Sequence, residues 1–498
     1  MTQSNLAIHN ASAPYGASID SRADPAKIEI PSGASRLASF LASANKRLND
    51  RRVAFRWTAG ILTLGAALRF AWLVHDRFRV VNSEAFFVAR AFATKGELAD
   101  AYAPGSGLTA HLSPGMPLMV GTVYRWLGAG TPRAEFVLAC LSLSFIYVSF
   151  LASNAAFKRL GMAPIARVGA LALLALLPVN FFYEMNGFRH WEGGVAACAI
   201  ALFLARALEL DGDERRPSWS DLIVLAGGGA LVSLFSLPAA LACFGILGLL
   251  ALRTRGWTGF VGAAAASMAL FLAFSYPWAL RNEAVFGEKV WTRTSFGMNF
   301  AAGYHDKAIS PTDEWNVVDD RLHQVSPFLN PKVLAAMKAA GGEVGYNKLL
   351  VARTEEWIRR HPVGALKIAA RHVWEFYFPP RWMFHGDGAS VAALKQAALW
   401  AISFAGFVGL GATLARRDWR FVYVAAPLLL LMLPYALAQP VVRYRYPVGG
   451  LLVFLAADMA WRTSASVQKR LLFSIAPLSE QHPLTIRWGF VRLSGEKR

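Results

Sequence analysis

The chain has 498 residues, of which 55% are hydrophobic, 12% aromatic and only 17% charged. A chain of this length with so much apolar and so little charged sequence is not a soluble protein, and the composition predicts a polytopic membrane protein. The formal net charge of +19 does not indicate a nucleic-acid-binding protein, because Lys and Arg fall in short clusters between apolar segments, where they act as topology signals.

The apolar segments predict an all-α bundle of about 10 to 12 transmembrane spans, since roughly 20 apolar residues of helix cross the hydrocarbon core. The segments lie near residues 57–75, 134–156, 166–184, 192–209, 220–236, 238–253, 258–278, 395–415, 421–437 and 446–462. No apolar stretch precedes residue 57, so the first span is expected to be the first insertion signal.

The basic residues predict the orientation, because they recur in every second connection. They are Arg51, Arg52 and Arg56, then Lys158, Arg159 and Arg167, then Arg215 and Arg216, then Arg253 and Arg255, and finally Arg416, Arg417 and Arg420. By the positive-inside rule these connections are cytoplasmic. We therefore predict a multipass membrane protein with both termini in the cytoplasm and the loops 76–133, 185–191, 279–394 and 438–445 facing outward.

The domain organisation follows from these spans. We predict a disordered cytoplasmic segment 1–50, a transmembrane bundle 51–278, an extracytoplasmic domain 279–394, C-terminal transmembrane helices 395–462 and a basic cytoplasmic tail 463–498. The first outer loop has helical patterning at residues 84–95 and 118–127. The outer domain has helical patterning at 331–340, 346–360 and 363–376, with Asn-Pro and His-Pro pairs as helix starts.

The stretch 82–117 carries the best candidate for chemistry. Glu84 follows Asn82 and Ser83 and precedes an apolar run that predicts an amphipathic helix at the membrane surface. A partly desolvated carboxylate in this position can deprotonate an acceptor hydroxyl. The alternative is that Glu84 only caps the helix, where negative charge is favoured.

Two more polar pieces lie on outward loops. His111 belongs to the turn-rich piece 107–114, where a histidine can orient a phosphate or a sugar hydroxyl or can simply be solvated. Arg189 and Glu192 lie three residues apart, a spacing that allows an ion pair. A charge at that depth is costly unless it is paired or functional, so the two form a structural salt bridge or belong to a site.

Cations flanked by aromatic residues lie at the outer ends of two spans. Arg281 ends the seventh span within Pro-Trp-Ala-Leu-Arg-Asn, and Arg443 and Arg445 open the tenth within Arg-Tyr-Arg-Tyr-Pro. Arginine matches phosphate oxygens bidentately, so these residues suit the phosphate of a lipid carrier. The alternative is an ordinary aromatic belt with snorkelling arginines. All of these clusters fall on the same side of the predicted topology.

In their order and spacing these motifs resemble the GT-C membrane glycosyltransferases, specifically the protein O-mannosyltransferase-like group that includes the lipid A aminoarabinose transferases and the rhizobial lipopolysaccharide glycosyltransferases. The matching elements are Ser83-Glu84, Ser113-Pro114, the Pro277–Asn282 run, the Arg443–Pro447 run, Gly342-Glu343 with Tyr346, Trp357-Ile358 and His361-Pro362. The resemblance spans roughly residues 57–462. It implies a GT-C fold with short periplasmic helices in the first loop and a small helical outer domain.

The resemblance implies transfer of a sugar from a polyprenyl-phosphate donor to a hydroxyl of an envelope glycan, lipid or protein, by a single inverting displacement on the periplasmic face of the bacterial inner membrane. It assigns Glu84 as the base. It assigns Arg281, Arg443 and Arg445 to the donor phosphate, and Asn82, Ser83, His111, Arg189 and Glu192 to the sugar and acceptor.

One departure from the family affects the base. The acidic pair of the family is Asp-Glu, whereas this chain has Ser83-Glu84, so the Asp usually credited with catalysis is absent. Either Glu84 takes that role or the base is another carboxylate, such as Glu192 or Asp76. No ligand spacing predicts a metal site or another cofactor, although carboxylates such as Glu84 can hold a divalent ion.

Two other classes compete with a glycosyltransferase. A transporter or flippase of lipid-linked sugars would carry paired broken helices and ionisable groups near the bilayer midplane, usually in two similar halves, and the sequence has no such internal symmetry. A structural subunit of an envelope assembly would leave Glu84 and the arginines free to vary.

Overall fold

The computed structural model describes residues 32–212, 216–311 and 314–475. The described residues confirm the all-α prediction: they form helices and no strand, and the extended segments pair only through an isolated antiparallel bridge between Ala99 and Leu108. The α-helices are α1 (Ser32–Leu48), α2 (Arg51–His75), α3 (Glu84–Lys95), α4 (Gly115–Leu127), α5 (Pro132–Arg159), α6 (Pro164–Leu176), α7 (Phe181–Met185), α8 (Gly193–Gly212), α9 (Trp219–Ser233), α10 (Leu237–Phe286), α11 (Phe296–Gly303), α12 (Asp306–Ile309), α13 (Glu314–Val325), α14 (Pro331–Ala339), α15 (Gly342–Arg360), α16 (Pro362–Tyr377), α17 (Ala389–Ala415), α18 (Val422–Ala436) and α19 (Tyr446–Ile475). Short 3-10 helices lie at Gly187–Arg189, Arg381–Phe384, Trp419–Phe421 and Val442–Arg445.

The longest apolar helices account for the membrane spans. Six helices in the described part of the chain are long and apolar enough to cross a bilayer: Arg51–His75, Pro132–Arg159, Gly193–Gly212, Leu237–Phe286, Ala389–Ala415 and Trp419–Ala436. Pro164–Leu176 and Phe181–Arg189 together make a seventh candidate that is bent by 69°. The exact number of spans stays a prediction.

Helix α10 shows how two predicted spans are joined. It is 50 residues long, but Gly256 within it has φ 69° and ψ −161°, far from helical values. Only glycine readily adopts this backbone conformation, because it has no Cβ. The helix is therefore interrupted between the segments 238–253 and 258–278 that the sequence predicts as separate spans.

The core of the bundle is one continuous apolar cluster built from α5, α8, α10, α18 and α19. Within this cluster the rings of Phe157 and Phe454 stack with centroids 4.9 Å apart. A buried ion pair also crosses the bundle: Arg69 of α2 lies 2.7 Å from Glu184 of α7, and Tyr446 donates a hydrogen bond of 2.7 Å to the same carboxylate. Within a span such charges persist only when paired.

The predicted helices outside the spans are confirmed. Helix α3 has the predicted bounds, and α4, α14, α15 and α16 match within a few residues. Asn330 caps α14 by accepting a hydrogen bond of 2.9 Å from the main-chain N–H of Lys332, and proline occupies the first turns of α14 and α16. Proline suits that position because it has no N–H to satisfy.

The first outer loop and the outer segment share one apolar core. Val88 and Tyr102 of the loop belong to the same buried cluster as Val325, Met337 and Leu350 of the outer segment. Helix α3 also packs on the bundle, because Phe86 and Ala89 lie in a cluster with Val120, Tyr124 and Leu138. The first loop is thus held between the bundle and the outer segment.

The terminal predictions need a correction. Residues 1–31 and 476–498 lie outside the described residues. The segment 1–50 is not disordered throughout, because Ser32–Leu48 forms α1. Asn45 of α1 accepts a hydrogen bond of 3.2 Å from the N–H of Ile165, and Leu48 is buried. Its alanine- and leucine-rich sequence favours helix, and packing against the bundle stabilises it.

Candidate active site

Glu84 is the first residue of α3. Ser83 is the N-cap residue, since its hydroxyl accepts a hydrogen bond of 3.3 Å from the N–H of Phe86. The cap is therefore formed by Ser83 rather than by Glu84. The helix dipole favours the negative charge of the Glu84 carboxylate in this first turn. Ser83 is buried and Asn82 is exposed.

The environment of Glu84 suits a proton acceptor. Burial raises the pKa of its carboxyl above the ordinary value, while its own main-chain N–H and the positive charge of Arg443 act in the opposite direction. Arg443 comes from the other end of the chain, in the 3-10 helix between α18 and α19. The fold thus places a partly desolvated carboxylate near a guanidinium at the end of the bundle where the loop 76–133 begins.

Two cavities meet at Arg443. The first, which we call the Ser83 cavity, has a volume of about 400 Å³ and is lined by Val81, Ser83, Phe182, Tyr183, Asn186, Gly187, Phe188, His190, Trp191 and Arg443. The second, the Glu192 cavity, has a volume of about 460 Å³ and is lined by Phe188, Trp191, Glu192, Gly193, Ala196, Ser236, Arg293, Leu431, Tyr435, Arg443, Tyr444 and Pro447. Phe188, Trp191 and Arg443 belong to both.

Arg443 is held by aromatic rings rather than by a carboxylate. Its guanidinium carbon lies 4.9 Å from the ring centroid of Trp191 and 5.3 Å from that of Tyr444. Tyr444 in turn stacks on Tyr435, with centroids 4.4 Å apart. Cation–π contacts fix the position of an arginine and leave its N–H groups available to an anion.

The charged groups at these cavities and near Arg443 form no ion pair with other described residues. Glu84, Glu192, Arg293 and Arg443 form no ion pair within 4.0 Å in the described ranges. Several buried charges elsewhere are paired, among them Arg69 with Glu184. Two cations and one carboxylate thus line connected cavities without an ion pair, and a second carboxylate, Glu84, lies within electrostatic reach of Arg443. Such an arrangement can bind and transform an ionic ligand.

Arg189 does not pair with Glu192, and that prediction is wrong. Its Nη1 lies 2.6 Å from Oε2 of Glu135 in α5, and both side chains are fully buried. Arg189 also donates hydrogen bonds of 2.7 Å to the carbonyl of Arg79 and 2.9 Å to Oδ1 of Asn186. The span α5 brings Glu135 to the guanidinium, and Glu192 is left without an ion pair. Arg189 itself does not line the Ser83 cavity but holds the side chain of Asn186, which does.

His190 extends this buried cluster. Its Nε2 lies 2.6 Å from the hydroxyl of Tyr124, which also donates a hydrogen bond to Glu135. His190 lines the Ser83 cavity. Asp76, the other alternative base, accepts a hydrogen bond of 2.9 Å from the side-chain amide of Asn186 and is therefore engaged in the same wall.

His111 is buried and hydrogen-bonded rather than solvated. Its Nδ1 lies 3.2 Å from the hydroxyl of Tyr102, and both side chains are less than a tenth exposed. Burial, aided by the charge of Arg293, lowers the pKa of His111 to about 3. The imidazole is therefore neutral at physiological pH, a form that hydrogen-bonds to hydroxyl groups.

Arg281 joins the bundle to the first loop. It donates hydrogen bonds of 2.9 Å to the carbonyl of Thr109 and 2.8 Å to the carbonyl of Leu98, and another of 2.9 Å to the side chain of Asn282. These bonds occupy both terminal nitrogens of the guanidinium. The structure does not place Arg281 among the residues that line the two cavities.

Arg445 lies only two residues from Arg443 but faces another cavity. Its Nη2 donates a hydrogen bond of 3.1 Å to the hydroxyl of Ser403, and the side chain is 4% exposed. It lines a separate cavity of about 820 Å³ that does not include Arg443. The two arginines therefore cannot be treated as one phosphate site.

Sequence reasoning missed several residues of the site. Glu135 and Tyr124 lie within or beside an apolar helix, and a charge there is itself a signal, because charged residues are rare in spans. Trp191 adjoins Arg189 in a loop already singled out. Arg293 carries no local signal, since only the fold brings the 287–295 connection to the Glu192 cavity.

The described residues contain no group of three or more His, Cys, Asp or Glu side chains positioned to hold a metal ion. The site as described thus consists of carboxylates, guanidinium groups, a neutral histidine and aromatic rings. These groups can accept a proton, bind an anion and hydrogen-bond to hydroxyl groups.

No protein-family model matches the chain, and no curated protein matches it significantly. Among solved structures, the archaeal oligosaccharyltransferase AglB from Archaeoglobus fulgidus, in complex with an inhibitory peptide and a dolichol-phosphate, matches at 12% identity with a TM-score of 0.43. The match covers 85% of this chain and 52% of that one. ArnT from Cupriavidus metallidurans matches in the apo state at 15% identity with a TM-score of 0.34, covering 81% of this chain and 78% of that one.

ArnT bound to undecaprenyl phosphate matches at 13% identity with a TM-score of 0.36, covering 82% of this chain and 79% of that chain. This chain thus spans about half the length of the archaeal enzyme and about four-fifths of ArnT. All three TM-scores lie below 0.5, so neither family nor activity follows from these matches.

Proposed function

We propose that this protein is an integral membrane glycosyltransferase of the GT-C type. It moves a sugar from a polyprenyl-phosphate donor to a hydroxyl of an envelope lipid, glycan or protein on the periplasmic face of the inner membrane. The observation that carries the proposal is Arg443, which lines both cavities: Glu192 and Arg293 line one of them with it, and its charge acts on the buried carboxylate of Glu84. The sequence motifs around Glu84 and Arg443 independently resemble that class.

Arg443 binds the donor phosphate in this proposal. It lines the Glu192 cavity together with Arg293, and the same cavity has an apolar side formed by Ala196, Leu431 and Pro447 at the ends of spans. A lipid phosphate has the matching form, because its non-bridging phosphate oxygens are anionic and its chain is apolar. Guanidinium groups bind phosphate bidentately and stabilise the charge that grows as the phosphate leaves.

Glu84 is the base in this proposal. Its carboxylate takes the proton of the acceptor hydroxyl as the hydroxyl oxygen bonds to the anomeric carbon. The bond from that carbon to the phosphate oxygen breaks, and its electron pair leaves with the lipid phosphate. A single displacement of this kind inverts the anomeric configuration. A general base contributes typically about 10²–10⁴-fold to such a step.

The remaining polar groups orient the sugar and the acceptor in this proposal. Glu192 lines the phosphate-binding cavity and can accept hydrogen bonds from sugar hydroxyls. The neutral His111, held by Tyr102, offers a further partner. Asn82 and Ser83 lie at the start of α3 beside Glu84, where they can contact the acceptor. Arg189 acts indirectly, by holding the side chain of Asn186 in the lining of the Ser83 cavity.

The test is release of lipid phosphate from a series of synthetic polyprenyl-phosphate sugars by purified protein with envelope extract as acceptor. Turnover with one donor, lost about 10²-fold or more in Glu84→Gln, supports the proposal. The matched control is Glu97→Gln, an exposed glutamate just beyond the same helix, which should keep full activity. Full activity in Glu84→Gln, with loss in Glu192→Gln, would move the base to Glu192.

The same preparation separates the enzyme from a transporter. Reconstituted in vesicles, a flippase would move a fluorescent polyprenyl-phosphate sugar between leaflets without releasing phosphate. Such movement without turnover for any donor would reject the proposed activity. Phosphate release without movement would support it.

A further inference from the structure

His190 ends a buried chain of hydrogen bonds that begins at an ion pair. Glu135 pairs through Oε2 with Arg189 at 2.6 Å, and the permanently charged guanidinium keeps this carboxylate ionised. The other carboxylate oxygen, Oε1, accepts the hydroxyl proton of Tyr124. The same hydroxyl lies 2.6 Å from Nε2 of His190. All four side chains are less than a tenth exposed, so the protein itself sets the order of donors and acceptors.

This order determines which nitrogen of His190 carries the proton. Tyr124 has one hydroxyl proton, and an ionised Glu135 can only accept it. Because that proton goes to Glu135, the Tyr124 oxygen is the acceptor on its other side, and Nε2–H of His190 is the donor. Nε2 lies 3.6 Å from Oε1 of Glu135, which is too far for a direct hydrogen bond. Nδ1 of the neutral imidazole therefore keeps a lone pair.

The lone pair of Nδ1 is the unusual polar group of the Ser83 cavity. His190 lines this cavity, and its Nδ1 makes no hydrogen bond to a described residue. Arg443 can only donate, and both ends of the Asn186 amide already form hydrogen bonds. The hydroxyls of Ser83 and Tyr183 can donate as well as accept. Nδ1 can only accept, so it selects a neutral ligand group that donates a proton, such as a hydroxyl, and not an anion.

The first turn of α3 brings this acceptor close to the proposed base. The ring of His190 lies 5.8 Å from that of Phe86, edge to face, and Phe86 follows Glu84 by two residues. Arg443 lines the same cavity as His190, and its charge acts on Glu84. A hydroxyl held at Nδ1 is therefore near the end of the helix where the acceptor would lose its proton.

We propose that Nδ1 of His190 accepts a hydrogen bond from a hydroxyl group of the acceptor, and that Tyr124 and Glu135 hold the imidazole in the tautomer that allows it. This inference rests on the proposed function. His190 is then a substrate-binding residue, and Tyr124 and Glu135 are positioning residues.

The two proton acceptors define the class of acceptor molecule. One hydroxyl gives its proton to Glu84 during transfer, and a second donates a hydrogen bond to His190. The acceptor group therefore carries neighbouring hydroxyls. A sugar ring has them, whether it belongs to a polysaccharide or to a glycolipid, whereas a serine or threonine side chain has a single hydroxyl.

The tautomer of His190 can be measured without any glycosyl transfer. Two-bond ¹H–¹⁵N correlation spectra of the protein, purified in detergent with ¹⁵N-labelled histidine rings, distinguish protonated from unprotonated ring nitrogens. The signals of His190 are those absent from either of its variants, His190→Gln or His190→Asn. We expect a protonated Nε2 and an unprotonated Nδ1. A proton on Nδ1, in the other tautomer or in the imidazolium, overturns the proposal.

The same spectra report ligand binding. Oligosaccharide released from the envelope by mild acid should shift the Nδ1 signal of His190 and leave that of the exposed His75 in place. An unchanged His190 signal at saturating oligosaccharide contradicts the proposed contact. If no donor supports turnover, the proposed function fails, whereas these spectra still decide the role of His190.

Two variants separate binding from a structural role. The amide nitrogen of glutamine lies as many bonds from Cβ as Nε2 does, so His190→Gln keeps the bond to Tyr124 and loses the acceptor at Nδ1. The amide oxygen of asparagine corresponds to Nδ1, so His190→Asn keeps that acceptor and loses Tyr124. We expect His190→Gln to keep the unfolding temperature and kcat and to raise KM for the acceptor about tenfold.

His190→Asn should show the opposite pattern, with a lower unfolding temperature and a KM within about threefold of the unmodified protein. His75→Gln is the control for both measurements and should change neither. An unchanged KM in His190→Gln would show that His190 only supports the fold.

The class of acceptor is tested with separated envelope fractions. Delipidated polysaccharide, a glycolipid extract and the protein fraction are offered in parallel with the active donor. Transfer to polysaccharide or to glycolipid supports a sugar acceptor and identifies which of the two carries it. Transfer to the protein fraction alone overturns the assignment of a second hydroxyl to His190.

Discussion

The carboxylate of Glu343 accepts a hydrogen bond of 2.8 Å from the main-chain N–H of Ala110, 233 residues earlier in the chain. The same carboxylate accepts a hydrogen bond of 2.6 Å from the hydroxyl of Thr109 and another from the hydroxyl of Thr294. The outer segment thus fixes the loop that carries His111. Burial raises the pKa of Glu343, and these three donors stabilise its charged form.

Replacing Glu343 by Ala should destabilise the protein and misplace His111. The three donors would be left buried and unsatisfied, at a cost of about 1–3 kcal/mol each if water does not replace the carboxylate. We expect a lower thermal unfolding temperature in detergent and lower transfer activity. Glu355→Ala, on the exposed face of the same helix α15, is the control and should change neither. Equal unfolding temperatures for the two variants would show that Glu343 does not hold the loop.

The pH dependence of transfer should report on Glu84. Because burial raises the pKa of this carboxyl above 4.5, the base is protonated and inactive at acidic pH and becomes active as pH rises through the raised pKa. The acidic limb of the rate profile should therefore lie above pH 4.5. Arg443→Met removes the positive charge that opposes the shift, so in any residual activity the limb should move to still higher pH. A limb that stays in place would mean that the two groups do not interact.

The buried pair of Arg69 and Glu184 should be sensitive to the loss of one partner. In Glu184→Leu the guanidinium stays buried without its carboxylate, which costs about 3–5 kcal/mol. The double variant Arg69→Met with Glu184→Leu should recover much of that loss, because neither charge remains. Glu209→Ala, which breaks the half-exposed pair with Arg159, should cost at most about 1 kcal/mol. Guanidine or thermal unfolding of the unmodified protein and the three variants, all in one detergent, measures these changes in stability.

Gly256 should resist substitution even though no side chain surrounds it. A Cβ built there meets no atom within 4 Å, so sterics with neighbours do not forbid alanine. The backbone conformation, with φ of 69° and ψ of −161°, disfavours alanine, which would be strained by about 1–3 kcal/mol. Gly60→Ala is the matched control, because Gly60 is helical and equally open, and alanine there should stabilise by about 0.5–1 kcal/mol. We expect the thermal unfolding temperature to fall in Gly256→Ala and to rise in Gly60→Ala. A change of the same sign in both variants would rule out strain at Gly256.

Several helices near the site could be predicted from the local sequence. Helix α3 begins at Glu84, as its patterning predicts, and α14 and α16 begin at prolines, as the sequence predicts, whereas the cap of α3 is Ser83 and not Glu84. Such signals are local, since a cap or a first-turn proline acts within one turn of helix. The helical segment Ser32–Leu48 was missed, because its stability depends on packing against residues such as Ile165 that lie far along the chain.

The sequence by itself determined that the chain is an all-helical membrane protein and where helices such as α3, α14 and α16 begin, because hydrophobic length and helix-start signals act over neighbouring residues. Only the tertiary structure decided which charges meet. Arg189 pairs with Glu135 rather than Glu192, Arg281 binds loop carbonyls, and Arg443 and Arg445 face different cavities. The physical reason is that a buried charge takes the best partner that packing brings within a few ångströms, and that partner is seldom the nearest one in sequence.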